Sequence, residues 1–155
     1  MGQSRFIDWN VTYNREARAE EALAALKLVG HDVNKGLLLD LGCGAGGITK
    51  WFDNQLGVKT IGLEIARASI VGLRQKAGQL TSGSAYILAS GVNLPFPKKL
   101  FHTVVLNDVL EHISYSNAIQ TFKQVYDALD EDGKLYVSVA SKFEFREPQI
   151  GRAHV

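Results

Sequence analysis

The chain has 155 residues, a net charge of +1, 46% hydrophobic and 21% charged residues, which fits one soluble globular domain with a real core and leaves no room for two. Acids and bases are spread along it, so the strong basic field expected of a nucleic-acid binder is missing. No apolar run approaches a membrane span, and the single cysteine, Cys43, rules out an internal disulfide and points to a reducing, cytoplasmic setting.

The first ten residues lack the apolar core of a signal peptide, and Phe6 stands where a myristoylation signal needs Ser or Thr. Asn10-Val11-Thr12 matches a glycosylation acceptor, but without a secretory signal the match carries no weight. The stretch from Asn14 to Gly30 predicts a helix, with Ala19, Leu23, Leu26 and Val29 on its apolar face and Gly30 as the C-terminal cap. Gly36–Gly42 reads as a buried parallel strand and Gly47–Gly57 as the helix after it. Lys59–Glu64 predicts a second strand, Ala66–Gln79 a second crossover helix and Ser84–Ser90 a third strand. Pro95 and Pro97 impose a loop over Leu94–Lys99. Phe101–Asp108 predicts a fourth strand, Ser116–Gly133 a helix stopped by Asp132-Gly133, and Lys134–Ala140 a fifth strand.

Strands alternating with helices predict a Rossmann-like, doubly wound parallel sheet with helices on both faces. In such a sheet a ligand sits beyond the carboxyl ends of the strands, where strand order reverses. Four chemically suggestive stretches follow strand ends here: Gly42–Gly47, Glu64, Ser90–Phe96 and Asn107–His112. Gly42, Gly44 and Gly46 allow a sharp turn and close approach of a ligand, and the helix that follows aims its free N–H groups into the same space. The alternative is a strand-to-helix turn with no ligand. Gly42, Gly44 and Gly47 also satisfy the dinucleotide fingerprint, with Glu64 placed to bond ribose hydroxyls, so the glycines alone fit either NAD or S-adenosylmethionine. Asp40 separates them, because a carboxylate there suits a cationic amino-acid head group and would repel a pyrophosphate.

"LLLDLGCGAG", "GLE", "LPF" before a strand opening at Phe101, "VLEHI" and "LDEDGKLYVSV" together resemble the class I S-adenosylmethionine-dependent methyltransferases, in their broad small-molecule branch. The resemblance covers about Leu37 to Ala140. It implies a cofactor site in which Asp40, Gly42, Cys43, Gly44 and Gly46 hold the methionine part, Glu64 the ribose, and Ile65 the adenine face. It places Ser90 and Gly91 beside the adenine, with Ser90 where relatives carry Asp, and backbone groups at Asn107 near the methionine amine. Phe101-His102 replaces the family's Phe-Asp, and His102 reads as a surface variant. His112 is a candidate general base; the competing reading, that "LEHI" merely fixes the loop, is favoured. No metal site is expected. The acceptor is expected to be a small molecule, with Ser141–Gln149 resembling relatives in saccharide or lipid pathways. A nicotinamide-dependent oxidoreductase and a non-catalytic cofactor-binding domain are the rival readings. The family fold adds two further strands, and Ile150–Val155 matches the translation of a sequencing adapter. The domain is therefore expected to occupy residues 1–149, incomplete at its C-terminus, with a non-native tail at 150–155.

Overall fold

The computed structural model describes residues 15–139. Asn10, the Ser141–Gln149 segment and the 150–155 tail lie outside them. Five parallel strands, β1 (Leu37–Leu41), β2 (Thr60–Glu64), β3 (Ala85–Leu88), β4 (Phe101–Asn107) and β5 (Leu129–Ser138), form one sheet in the order β3-β2-β1-β4-β5. Four helices accompany them: α1 (Arg15–Leu28), α2 (Gly47–Leu56), α3 (Arg67–Lys76) and α4 (Tyr115–Ala128). This is the Rossmann-like α/β arrangement, and the strand order reverses between β1 and β4.

Alternation along the strands sets both cores. Leu38 and Val105 face α1 and α2, packing with Ala19, Ala22, Leu26 and Phe52. Leu39, Leu41, Val104 and Leu106 point the other way and pack with Val125 and Ala128 of α4. By the same parity Asp40, Glu64 and Asn107 fall on the α1–α2–α3 side. Helix α1 differs from expectation at one position: it ends at Leu28, Gly30 takes the left-handed conformation at φ +72°, and Val29 is 65% exposed. Ala22 takes the buried place instead.

A second difference lies between α4 and β5. The helix starts at its Ser114 cap, whose hydroxyl accepts the Asn117 N–H, and stops at Ala128 rather than at Gly133. Strand β5 begins at once, because Leu129 pairs with Phe101. Two steps on β4 from Phe101 to Thr103 are then matched by five on β5, from Leu129 to Lys134. The expected turn at Asp132-Gly133 is thus a bulge inside a strand. Asp130 anchors it, accepting the Asp132 N–H at 3.1 Å and meeting His102 Nδ1 at 2.9 Å. His102 is accordingly no surface residue: it is 8% exposed and stacks on His31 with ring centroids 4.4 Å apart. Among the described residues, no helix is long and apolar enough to cross a membrane.

Candidate functional site

At the carboxyl edge, where β1 separates β2 from β4, a cavity of about 400 Å³ opens between the glycine loop, Glu64 and the Asn107-Asp108 corner. A smaller cavity of about 110 Å³ continues it towards Ser90, Gly91 and Thr121. Gly42, Ile65, Val109 and Ile113 line both, so the two form one cleft in the size range of small-molecule sites.

The glycine loop is shaped by two different demands. Gly42 lies at φ +81°, and a methyl group there would come within 2.5 Å of Val109 Cγ2. Gly44 lies at φ +55° with nothing within 4 Å of the same position, so its open side is cavity. The loop's amides are largely committed. The Gly42 and Cys43 N–H groups donate to the Leu63 carbonyl, and Gly46 N–H donates to the Cys43 carbonyl.

Asp40 lies under this loop. It is 1% exposed, and its Oδ2 accepts the Thr49 hydroxyl of α2 at 2.7 Å. The carboxylate thus braces the loop against the helix, and its residue is absent from the cavity wall. Cys43 lines the cavity, but burial, with Asp40 and Glu64 nearby, pushes its thiol pKa far up. It stays protonated, which removes it as a nucleophile.

Glu64 is 8% exposed and sits on the wall with both oxygens aimed by the backbone. Oε2 accepts the Gly44 N–H at 2.9 Å and Oε1 the Ala66 N–H at 2.7 Å. Each oxygen can accept a further bond, so a fixed anion faces the cleft. Opposite it, Asn107 is 8% exposed; its Oδ1 accepts the Ser138 hydroxyl, while its buried Nδ2 has no hydrogen-bond partner among the described residues. A buried amide left so is costly unless something else meets it. Asp108 is held at φ +53°, a left-handed conformation uncommon for a non-glycine residue, and its Oδ2 lies 3.6 Å from Arg18 Nε. His112 closes the short helical turn Leu110–His112, is exposed and lines the larger cavity.

On the other arm, Ile65 is 69% exposed over both cavities, an apolar plate that no described residue covers. Ser90 and Gly91 line the smaller cavity. The Ser90 hydroxyl accepts the Val92 N–H at 3.4 Å, and its carbonyl accepts the Asn93 N–H. Gly91 lacks a side chain where Leu41 and Thr121 press within 3.1 and 3.3 Å of its would-be Cβ.

A family model described as a methyltransferase domain matches residues 39–137, more than half of the chain. The chain belongs to this methyltransferase domain family. Curated relatives include sphingolipid C9-methyltransferase 1 of Gibberella zeae, 32% identical over 107 residues, and sphingolipid C9-methyltransferase B of Emericella nidulans, 28% identical over 106. Each match takes in 66% of this chain and 20% of the relative, so the chain spans about a fifth of the length of these relatives. Among solved structures, the PH0226 protein of Pyrococcus horikoshii superposes with a TM-score of 0.72 at 26% identity, over 85% of this chain and 56% of that one. A glycopeptide N-methyltransferase, MtfA, solved with S-adenosyl-L-methionine, superposes with a TM-score of 0.69 at 21% identity, over 86% of this chain and 53% of that one. That second likeness speaks for the fold.

The methyltransferase domain brings Gly42, Cys43, Gly44, Glu64, Ile65, Ser90, Gly91, Asn107 and His112 onto one cleft, and puts Asp40 and Gly46 beneath it. Sequence reasoning missed Arg18, Val109 and Ile113. Arg18 precedes Ala19 at the border of α1's buried face, and its contact with Asp108 ties it to the cleft. Val109 is marked only as part of "VLEHI"; its own role shows through the missing Cβ of Gly42.

Proposed function

We propose that this methyltransferase domain binds S-adenosylmethionine in the cleft and serves methyl transfer to a small-molecule acceptor. The observation that carries this is Glu64: a buried carboxylate, oriented by two backbone N–H groups, on the wall of a cavity whose opposite side is the Asn107-Asp108 corner. The residues fit such a ligand. Glu64 would accept the ribose hydroxyls, in charge-assisted bonds of about 1.5–3 kcal/mol each. Ile65, Ser90 and Gly91 would take the adenine, and the open side of Gly44 with the Asn107-Asp108 corner would take the amino-acid end. Asp40 would act at one remove, by fixing the loop through Thr49.

A dinucleotide fits less well. Its pyrophosphate needs loop N–H donors, and the Gly44 N–H is already given to Glu64. It would also share the cavity with the carboxylates of Glu64 and Asp108.

When bound, S-adenosylmethionine supplies a methyl group made electrophilic by its sulfonium. The chain's own contribution is to hold the acceptor in line and to exclude water, and orientation alone supplies several kcal/mol of the barrier. His112, exposed at the cavity, is within the cleft's reach as a proton acceptor for a hydroxyl acceptor, and is dispensable for a carbon or amine acceptor. The relatives named as sphingolipid methyltransferases, and the apolar wall of Ile48, Val109 and Ile113, support a lipid-pathway acceptor over a saccharide one. A cytoplasmic setting accords with the protonated, unpaired Cys43.

The test is transfer of label from methyl-labelled S-adenosylmethionine to small-molecule extracts, followed by partition between organic and aqueous phases. Label in the organic phase is expected. Label confined to the aqueous phase would overturn the lipid assignment. Tight cofactor binding with no label anywhere would favour a binding domain without turnover.

A further inference from the structure

The cations on this surface are answered unevenly. At the amino edge Lys98 meets Asp127 at 3.3 Å and Lys99 meets Glu131 at 2.8 Å. Along α3 no such partners stand. From Ile65 to Asn107 the sequence holds no acidic residue. Helix α3 opens that stretch with Arg67, Arg74 and Lys76, all exposed, and among the described residues none of the three is in an ion pair. Lys50 of α2 adds a fourth cation near the end of α3, where its Nζ donates to the neutral Gln79 side chain at 2.7 Å.

The helix is buried along one seam only. Ile70 and Leu73 pack inward with Cys43 and Tyr86. Arg67, Val71 and Arg74 fall at i, i+4 and i+7, one stripe along its flank, and Val71 is 59% exposed there. Leu88, two residues past Tyr86 on β3, leaves the sheet on the same face and is 44% exposed. Unanswered positive charge with aliphatic side chains set among it matches an anionic lipid surface: head groups take the cations, and the aliphatic groups enter the boundary beneath them. The arginine stems can lie along that boundary while their guanidinium groups stay in water. A nucleic acid would use the charge but leave Val71 and Leu88 in water, and α3 has no aromatic residue on which a base could stack. The face also adjoins the cleft, since α3 begins two residues after Ile65 of the cavity wall.

We propose that the outer face of α3 docks on an anionic membrane surface, with Arg67, Arg74 and Lys76 at the head groups and Val71 in the interface. The docking stands without the cofactor reading; entry of an acceptor from the bilayer side rests on it. The experiment is co-sedimentation of the full chain with phosphatidylcholine vesicles, with and without phosphatidylserine. It is run on the wild type, on Arg67→Gln with Arg74→Gln, on Val71→Ser, and on Lys27→Gln with Lys35→Gln, which removes the same charge from exposed positions off α3. A thermal melt confirms that each variant is folded. Binding is expected only with phosphatidylserine, and should weaken as salt rises. It should fall about 10- to 30-fold in the α3 arginine pair, less in Val71→Ser, and not at all in the lysine pair. No binding of the wild type, or equal losses in the two charge pairs, would overturn the proposal. So would binding to a single-stranded oligonucleotide that depends on the same arginines in place of binding to vesicles. Titration with S-adenosylhomocysteine in the absence of vesicles reads the cofactor site separately, so either reading can fail alone.

Discussion

The two edges of one sheet treat buried polar groups in opposite ways. At the amino edge they mostly close on each other, the His102 Nε2 excepted. His31 stacks on His102 and meets Thr103, His102 meets Asp130, and Asp53 at the end of α2 gathers the N–H groups of Thr81 and Ser82 and the hydroxyl of Ser84 at 2.6–2.9 Å. At the carboxyl edge they stop short of closure. Among the described residues, Glu64 is aimed but keeps acceptor capacity, the Asn107 amide lacks a partner, Asp108 is strained, and Gly44 faces open space. Both edges hold histidines, aspartates and serines. What separates structure from site is the degree of saturation and the open cavity beside it rather than residue type: the amino edge is nearly filled, and the carboxyl edge keeps its unused capacity around a cleft.

The largest expected effect tests the closed edge. Burial alone would raise the Asp53 pKa, but the hydrogen bonds from Ser84, Thr81 and Ser82 outweigh it and hold it below the usual carboxylate range. Asp53→Ala strands those donors and should cost about 3 kcal/mol or more in a denaturant melt. Affinity of the folded protein for S-adenosylhomocysteine should stay the same; a large affinity loss would show that the edges are not independent.

The glycine loop divides the same way on a smaller scale. Gly42→Ala forces a methyl group against Val109 as well as a left-handed alanine, and should destabilise by about 2–3 kcal/mol. Gly44→Ala bears only the conformational cost, about 1–2 kcal/mol, but puts its methyl group into the cavity and should weaken ligand binding more than stability. Melting and titration of both variants check this; matching profiles would erase the distinction drawn between the two glycines.

The smallest effect concerns pH. Burial, and then the neighbouring His102, lower the His31 pKa from its ordinary 6.5, with Lys134 adding to this and Asp130 and Asp32 opposing it. The unfolded chain therefore binds this proton more readily, and between the lowered value and 6.5 stability rises with pH. Melting temperature should fall as pH drops through that window, and fall less in His31→Gln. The Asp53 contribution runs out only in the more acidic range below 3.8. Equal slopes in wild type and variant would remove His31 from the account.

The fold was legible because Leu37–Leu41, Thr60–Glu64 and Phe101–Asn107 are short apolar runs, each followed by a glycine, acid or Asn-Asp signal at the strand end. The cleft was legible for the same reason, since a parallel sheet brings those strand ends together. The misread parts depend on contacts distant in sequence. Asp130–Gly133 resembles a helix stop until His102 claims Asp130 across the strands. His102 resembles a surface substitution until His31 stacks on it. Arg18 sits in an ordinary amphipathic helix, and only its meeting with Asp108 brings it to the cleft. Asp40 reads as part of the ligand site from its position; its bond from the Thr49 hydroxyl, which holds it under the loop, leaves no mark in the sequence.

The central claim is that the cleft takes an S-adenosyl ligand through Glu64. It is tested most directly by thermal shift of the purified protein with S-adenosylhomocysteine, with NADH and with no ligand, in wild type and Glu64→Ala. At about 100 times the dissociation constant a ligand adds roughly 2.7 kcal/mol, a rise on the order of 5–10 °C for a domain of this size. The account predicts that rise with S-adenosylhomocysteine, none with NADH, and its loss in Glu64→Ala. A rise with NADH alone, or one with S-adenosylhomocysteine that survives Glu64→Ala in full, would contradict it.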